Sequence, residues 1–171
     1  MAQSLEIEQY RSEHGERVLD LHETAMRDAD GYVEGVSEPD LEDIRGSYVE
    51  SGGEFLLGFH EGSLVGMGAF RPATGYITEF LDVTADSAEV KRMRVDPDHQ
   101  REGYGQAIYD ELERRAHNEG FREFVLDTTP QQEAARQFYR TNGFDLAGRE
   151  TVEAEGQSFE LLLYRKPIGR D

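Results

Sequence analysis

The sequence predicts a mixed α/β domain, and three observations carry that expectation. Seven short apolar segments of strand character alternate with four amphipathic helical ones, in the order β, α, α, β, β, β, α, β, α, β, β. A length of 171 residues suits one domain with a full core and leaves too little chain for two. Nine Phe and eight Tyr, spread along the chain, supply apolar anchors that a disordered polymer lacks. There is no internal repeat or low-complexity segment.

SLEIEQY, residues 4–10, alternates Leu5, Ile7 and Gln9 against Glu6, Glu8 and Tyr10 and predicts a short strand. GERVLDLHETAMRD spaces Val18, Leu21, Ala25 and Met26 at helical intervals, and DGYVEGVSEPD interrupts that helix with Gly, Pro and Asp. Ser37 or Asp40 is placed to cap a second helix reaching about Glu50, because Leu41, Ile44 and Tyr48 fall on one face; SGG ends it. EFLLGFHEGSLVGMGAFRP predicts two strands joined at Glu61-Gly62, turn residues that tolerate positive φ. ATGYITEFLDVTADS shows no clear period and predicts a long loop with at most a strand fragment. AEVKRMRV, residues 88–95, predicts a strand that stops at DPDH, since Pro97 fixes φ and has no N–H for a ladder. From Gly103 to about Asn118, Ile108, Leu112 and Ala116 mark the buried stripe of a helix that ends near Gly120. FREFVLDT predicts a strand, QQEAARQFYRTNG a short helix closed by Gly143, and FDLAG and SFELLLYRK the last two strands.

Charge and composition exclude several function classes. The chain has 36 acidic and 18 basic residues, a formal net charge of −18, and Lys91 and Lys166 as its only lysines. Such a field disfavours nucleic acid. The acids are spread throughout, which predicts a hydrated acidic surface of the kind that keeps proteins of salt-loving organisms soluble. The longest apolar runs fall far short of the roughly 20 residues of a membrane span, and the first ten residues lack a signal-peptide layout, so a cytoplasmic protein is expected. Without Cys, and with five His in no metal-ligand spacing, neither a thiolate nucleophile nor a metal centre is expected.

The chemistry concentrates in AEVKRMRVDPDHQREGYGQAIYDELERR, a strand, a polar loop and a helix. Loop N–H groups and a helix N-terminus converge there, an arrangement that binds anions. Gly103 and Gly105 leave the main chain open to a phosphate and allow the φ values of an N–H nest. GxxxxGK[ST] and the three-glycine dinucleotide fingerprint are both absent. Spacing alone leaves a pyrophosphate site and a plain strand-to-helix turn equally open.

Three motifs in order carry a family resemblance. Gln100-Arg101-Glu102-Gly103-Tyr104-Gly105 resembles the Q/R-x-x-G-x-G/A pyrophosphate loop of the GCN5-related N-acetyltransferases (GNAT). AEVKRMRV is similar to that family's fourth strand, and AARQFYRTNGF to its A-x-x-x-Y-x-x-x-GF segment. The resemblance implies a single GNAT-like domain over residues 1–171, with a mostly antiparallel central sheet of about seven strands flanked by about four helices. Residues 1–53 would form the acceptor-side part and residues 88–144 the acetyl-CoA-binding core. It also implies transfer of acetyl from acetyl-CoA to a primary amine of a small molecule or peptide. With no Cys to carry an acyl group, direct transfer in a ternary complex is expected.

By the same resemblance, Glu89 corresponds to the glutamate that serves several members as base, directly or through water, with Glu79 a weaker candidate. Desolvation holds a proton on a carboxyl more tightly, as abstraction near neutral pH requires. Tyr139 matches the tyrosine that donates a proton to the CoA thiolate, a role that suits a phenol with pKa about 10. A backbone N–H among Met93, Arg94 and Val95 would polarise the acetyl carbonyl. Gln100, Arg101, Glu102, Gly103, Tyr104, Gly105 and Gln106 would hold the pyrophosphate, and Gln132 stands where the family often has a CoA-contacting Asn. Lys91, Arg92, Arg94 and Arg101 form a basic island facing those phosphates. Acceptor specificity would lie in DADGYVEGVSEPD and RPATGYITEFLDVTADS, whose acids and tyrosines suit a cationic amine. A homodimer is compatible, with residues 161–164 at a pairing edge. The competing reading is a CoA-binding regulatory module without chemistry.

Overall fold

The computed structural model describes residues 4–28, 38–154 and 156–169. Seven strands, β1 (Glu6–Gln9), β2 (Glu54–His60), β3 (Ser63–Pro72), β4 (Ser87–Val95), β5 (Glu123–Thr128), β6 (Asp145–Ala154) and β7 (Gln157–Pro167), form one sheet in the order β1-β2-β3-β4-β5-β7-β6. The β1/β2, β2/β3, β5/β7 and β6/β7 pairs are antiparallel, whereas β4 and β5 run parallel through Ser87–Glu89 and Glu123–Val125. The helices are α1 (Gly15–Asp28), α2 (Pro39–Glu42), α3 (Tyr104–Asn118) and α4 (Glu133–Thr141). This is the mixed, mostly antiparallel architecture that the sequence predicts.

The residues group into two compact units, Met1–Arg71 with Val90–Asn118, and Pro72–Glu89 with Glu119–Asp171. In the first, Val18 and Leu21 of α1, Leu41, Ile44 and Tyr48, and Phe55, Leu57, Phe59, Met67 and Ala69 of the β2/β3 hairpin build a core in which each is at most 6% exposed. The hairpin turn at Glu61 and Gly62 takes φ of 50° and 82°, the left-handed pair that a two-residue turn demands. Helix α3 docks on the hairpin through Ile108 and Leu112, and this contact requires bare backbone. A Cβ at Gly68 would stand 2.4 Å from Met93 Sδ and 3.0 Å from Leu112 Cδ1, and one at Gly66 would stand 2.7 Å from Ile108 Cδ1. In the second unit, Ala73, Ile77, Leu81, Val125 and Leu163 cluster, with Phe80 and Val83 against them.

Four expectations are corrected. The second helix is not continuous: α2 stops at Glu42, Asp43 leaves helical geometry, and a wider turn over Arg45–Val49 follows. The cause is local, since the Asp43 carboxylate accepts the Gly46 N–H (3.1 Å) and competes with the helix ladder. Leu41, Ile44 and Tyr48 are nonetheless buried together, as their spacing predicts. Glu38 occupies the cap position without a side-chain bond, so Asp40 does not cap α2, and Ser37 lies outside the described residues. The segment 73–86 carries a short 3-10 turn, Tyr76–Glu79, in place of a strand fragment. Finally, residues 161–164 do not form a sheet edge, because β7 pairs with β5 on one side and β6 on the other, burying Leu162, Leu163 and Tyr164. The edge strand there is β6, which extends to residue 154, well beyond FDLAG.

One backbone feature has no sequence signature. Arg92, inside β4, has φ of 60°, a left-handed conformation that costs a non-glycine residue about 1 kcal/mol. Its side chain is held by two carboxylates: Nε donates to Asp40 Oδ2 (2.9 Å), and Nη2 donates to Asp40 Oδ1 (2.7 Å) and Glu38 Oε2 (2.6 Å). The Tyr48 hydroxyl donates to the same Asp40 carboxylate. Tyr48 packs edge-on against Phe55 and under the Arg71 guanidinium. Burial pushes the Asp40 carboxyl up, but the bonds from Arg92 and then Tyr48 outweigh it and hold Asp40 well below the usual carboxylate range.

Two stability predictions follow from these contacts. Gly68→Val, by over-packing the α3 contact, is expected to cost about 1–3 kcal/mol, read as a lower denaturant midpoint at unchanged m-value. For Asp40 the folded pKa lies below the unfolded value near 4, so its contribution is complete above about pH 4 and is lost as pH falls further. Asp40→Asn is therefore expected to lose about 3 kcal/mol at pH 7 and to flatten the acid limb of the stability curve, as measured by urea unfolding from pH 7 to pH 3.

Candidate active site

After Val95 the chain is turned by Asp96. Its N–H donates to the Val65 carbonyl (2.8 Å), its carbonyl accepts the His99 N–H (2.8 Å), and its Oδ1 accepts the Asp98 N–H (2.9 Å). Pro97 occupies the first position of the resulting 3-10 turn, Pro97–His99, where a missing N–H costs nothing. Arg101 and Gly103 then take φ of 66° and 83°, and α3 begins at Tyr104 with the Ala107 N–H bonded to the Gly103 carbonyl (3.0 Å). Left-handed residues at such spacing bend successive N–H groups into a concavity, and the first turn of a helix adds donors without intrahelical acceptors. A Cβ built on Gly103 would meet no atom within 4 Å. The space over that backbone is open, and its φ strains any L side chain.

The remaining loop residues divide by role. Gln100, Arg101 and Glu102 are exposed. Gly105 lies within α3, so of the two glycines Gly103 alone uses a left-handed φ. Tyr104 is 3% exposed, its ring packed near His60 (centroids 5.9 Å apart) and His99 (6.4 Å). Gln106 donates its amide to Asp110 Oδ1 (2.9 Å). Met93, Arg94 and Val95 are half-buried at the end of β4, and Arg94 Nη1 donates to the Met93 carbonyl (2.8 Å).

The expected basic island is therefore broken up. Arg92 is committed to Glu38 and Asp40 with 11% of its side chain exposed, and a phosphate would have to displace both carboxylates to reach it. Arg101 is exposed at the left-handed turn. Behind Arg92 lies buried His22, whose Nε2 is 3.5 Å from Glu38 Oε1. Burial, then Arg92 and Arg94, push its pKa down. Of the two segments expected to set acceptor specificity, the first lies largely outside the described residues, at 29–37.

In the second unit Glu89 is the last residue of the parallel ladder, opposite Val125, and is 4% exposed between buried Ala88 and Val90. Glu79 is exposed on its 3-10 turn. Tyr139 lies on α4, 8% exposed, with its ring edge-on to Phe144 (5.4 Å) and Phe138 (5.7 Å). Gln132 precedes α4 and accepts the Arg136 N–H on its carbonyl (3.0 Å). Sequence reasoning passed over Arg136, one turn before Tyr139, whose Nη1 donates to the Pro130 carbonyl (3.2 Å) and braces the entry to α4. Among the described residues no group of three or more His, Asp or Glu side chains is placed to hold a metal ion, and no helix is long and apolar enough to cross a membrane.

Solved structures share this fold across nearly the whole chain. An acetyltransferase of the GNAT family from Staphylococcus aureus Mu50 superposes with a TM-score of 0.80 at 19% identity, covering 97% of this chain and 100% of the other. An acetyltransferase from Streptococcus agalactiae 2603 gives 0.76 at 19% identity, with 97% and 99% covered. The ribosomal-protein-S18-alanine N-acetyltransferase of Escherichia coli gives 0.73 at 16% identity, with 98% and 96% covered. No curated protein matches the chain. The model of the acetyltransferase (GNAT) family matches residues 15–144, which include the strand, loop and helix described above as well as Tyr139, and the chain therefore belongs to the GNAT family of acetyltransferases.

Proposed function

We propose that this acetyltransferase moves acetyl from acetyl-CoA directly to a primary amine, with the pyrophosphate held at residues 100–106. The observation that carries the reading is the open backbone at Gly103, left-handed and with no neighbour within 4 Å of its missing Cβ, at the start of α3. An anion can approach that main chain where a side chain would exclude it. The related fold of an N-acetyltransferase supports nitrogen as the acceptor atom.

When bound, acetyl-CoA supplies an activated thioester: the amine nitrogen bonds to the carbonyl carbon, the C–S bond breaks, and a proton moves from nitrogen towards sulfur. Glu89, buried at the end of its ladder, is the group that takes the ammonium proton, directly or through water, so that the amine attacks in its neutral form. Main-chain N–H groups of residues 93–95 stabilise charge developing on the carbonyl oxygen. Tyr139 gives its phenol proton to the departing thiolate and regains one from the acylated nitrogen, and the aromatic packing of Phe138 and Phe144 fixes its ring.

Titration calorimetry with acetyl-CoA, in molar salt to screen the acidic surface, is expected to show saturable binding that Gly103→Val weakens at least about tenfold while leaving the fold intact. Wild-type binding retained at full strength in that variant would dissociate the glycine turn from the pyrophosphate. Glu89→Gln and Tyr139→Phe are expected to keep acetyl-CoA affinity and to lower kcat about a hundredfold each, measured by thiol release against a panel of primary amines. Undiminished turnover in both would assign the proton transfers elsewhere.

A further inference from the structure

From Asp96 to Gly105 the loop carries three carboxylates, Asp96, Asp98 and Glu102, against one guanidinium, Arg101, in a chain of formal charge −18. That is a poor local field for an anion site. The one further group in the loop that can become positive is His99. It closes the 3-10 turn through its N–H, and its ring packs near Tyr104, the first residue of α3 (6.4 Å, 32° between planes), and His60 of β2 (6.4 Å, 60°). Its Nδ1 is buried without a hydrogen-bond partner and lies 3.9 Å from Asp96 Oδ2. The other Asp96 oxygen already accepts the Asp98 N–H.

We propose that His99 is a positioning residue of the phosphate loop, whose protonated imidazole strengthens binding of a pyrophosphate at residues 100–106. This rests on the reading of that loop as the pyrophosphate site. Protonation places a positive imidazolium 3.9 Å from Asp96 Oδ2, an attraction that adds to the bond the other carboxylate oxygen already makes within the turn. It also offsets one of the three loop carboxylates directly before the anion. The charged groups around the cluster are few: Glu61, whose Oε2 is 3.8 Å from His60 Nε2, Glu102 beside Tyr104, and Arg17 and Asp20 of α1, which line with Asp96 a cavity of about 340 Å³. None supplies a cation within the loop itself. An anion bound beside His99 favours the imidazolium, so the complex takes up a proton and affinity rises as pH falls.

The probe is 3′-dephospho-CoA, whose pyrophosphate keeps its charge where the 3′-phosphate of CoA titrates. Calorimetry at constant ionic strength is expected to show Kd tightening about fivefold from pH 8 to pH 5.5 in the wild-type protein and in His60→Gln. In His99→Gln the dependence is expected to vanish while affinity at pH 8 is kept. The wild-type protein gives a second readout without relying on a variant: the His99 ring titration, followed by NMR, is expected to move to higher pH on saturation with the probe, as reciprocity of linkage requires. A pH dependence that survives in His99→Gln, or a His99 titration unmoved by the probe, would overturn the proposal. Absence of binding by the wild-type protein at every pH would instead remove the pyrophosphate reading, and this inference with it.

Discussion

A single strained residue in β4 organises the first of the two compact units. Arg92 departs from strand geometry with φ of 60°, and the chain has no glycine there to make the departure cheap. The fork of its guanidinium on Asp40 and Glu38 offsets that strain, and the Tyr48 hydroxyl completes the Asp40 carboxylate. The same pairing fastens the start of α2 to β4, just before residues 93–95 and the turn that follows them. Half-buried and fully bonded, the cluster belongs to the class of ion pairs whose geometry compensates their desolvation, and removal of one partner leaves the other charge stranded.

The loop beyond β4 is preorganised by short-range bonds. Asp96 engages three backbone groups, Pro97 sets the first φ of the turn, and Gly103 takes the conformation that opens the main chain. The position of α3 is fixed from the other side, by Ile108 and Leu112 seated on the glycine-bearing face of the hairpin. Backbone N–H groups are therefore the donors that this turn offers, in a chain that nearly lacks lysines. Such donors are fixed in direction and cannot be screened away by reorienting, as long flexible cations can.

Much of this was legible in the sequence because it is local. The helix GERVLDLHETAMRD is α1 residue for residue, the Glu61-Gly62 turn makes its hairpin, and Ile108, Leu112 and Ala116 are buried as their spacing requires. The left-handed glycine turn at Gly103 and the start of α3 just after it were legible for the same reason. What escaped depends on partners distant along the chain. Nothing around Arg92 in the sequence announces a reversal, since the carboxylates that stabilise it lie at the start of α2, on Glu38 at its cap and on Asp40, and the pairing also removed Arg92 from the supposed basic island. Asp43 split the second helix through a side-chain bond that helical spacing does not report. The apolar run at residues 161–164 read equally well as a sheet edge and as a strand paired on both sides, and only the β5/β7 and β6/β7 ladders distinguish the two. His60 and His99 meet at Tyr104 from separate elements, which no spacing rule anticipates.

The most direct test of the central claim is an amide-resolved NMR titration of the protein with acetyl-CoA in high salt. The account predicts saturable shifts largest at the N–H groups of residues 101–106, with the Gly103 and Tyr104 amides among the most displaced. Saturable binding that leaves those amides unmoved would contradict it.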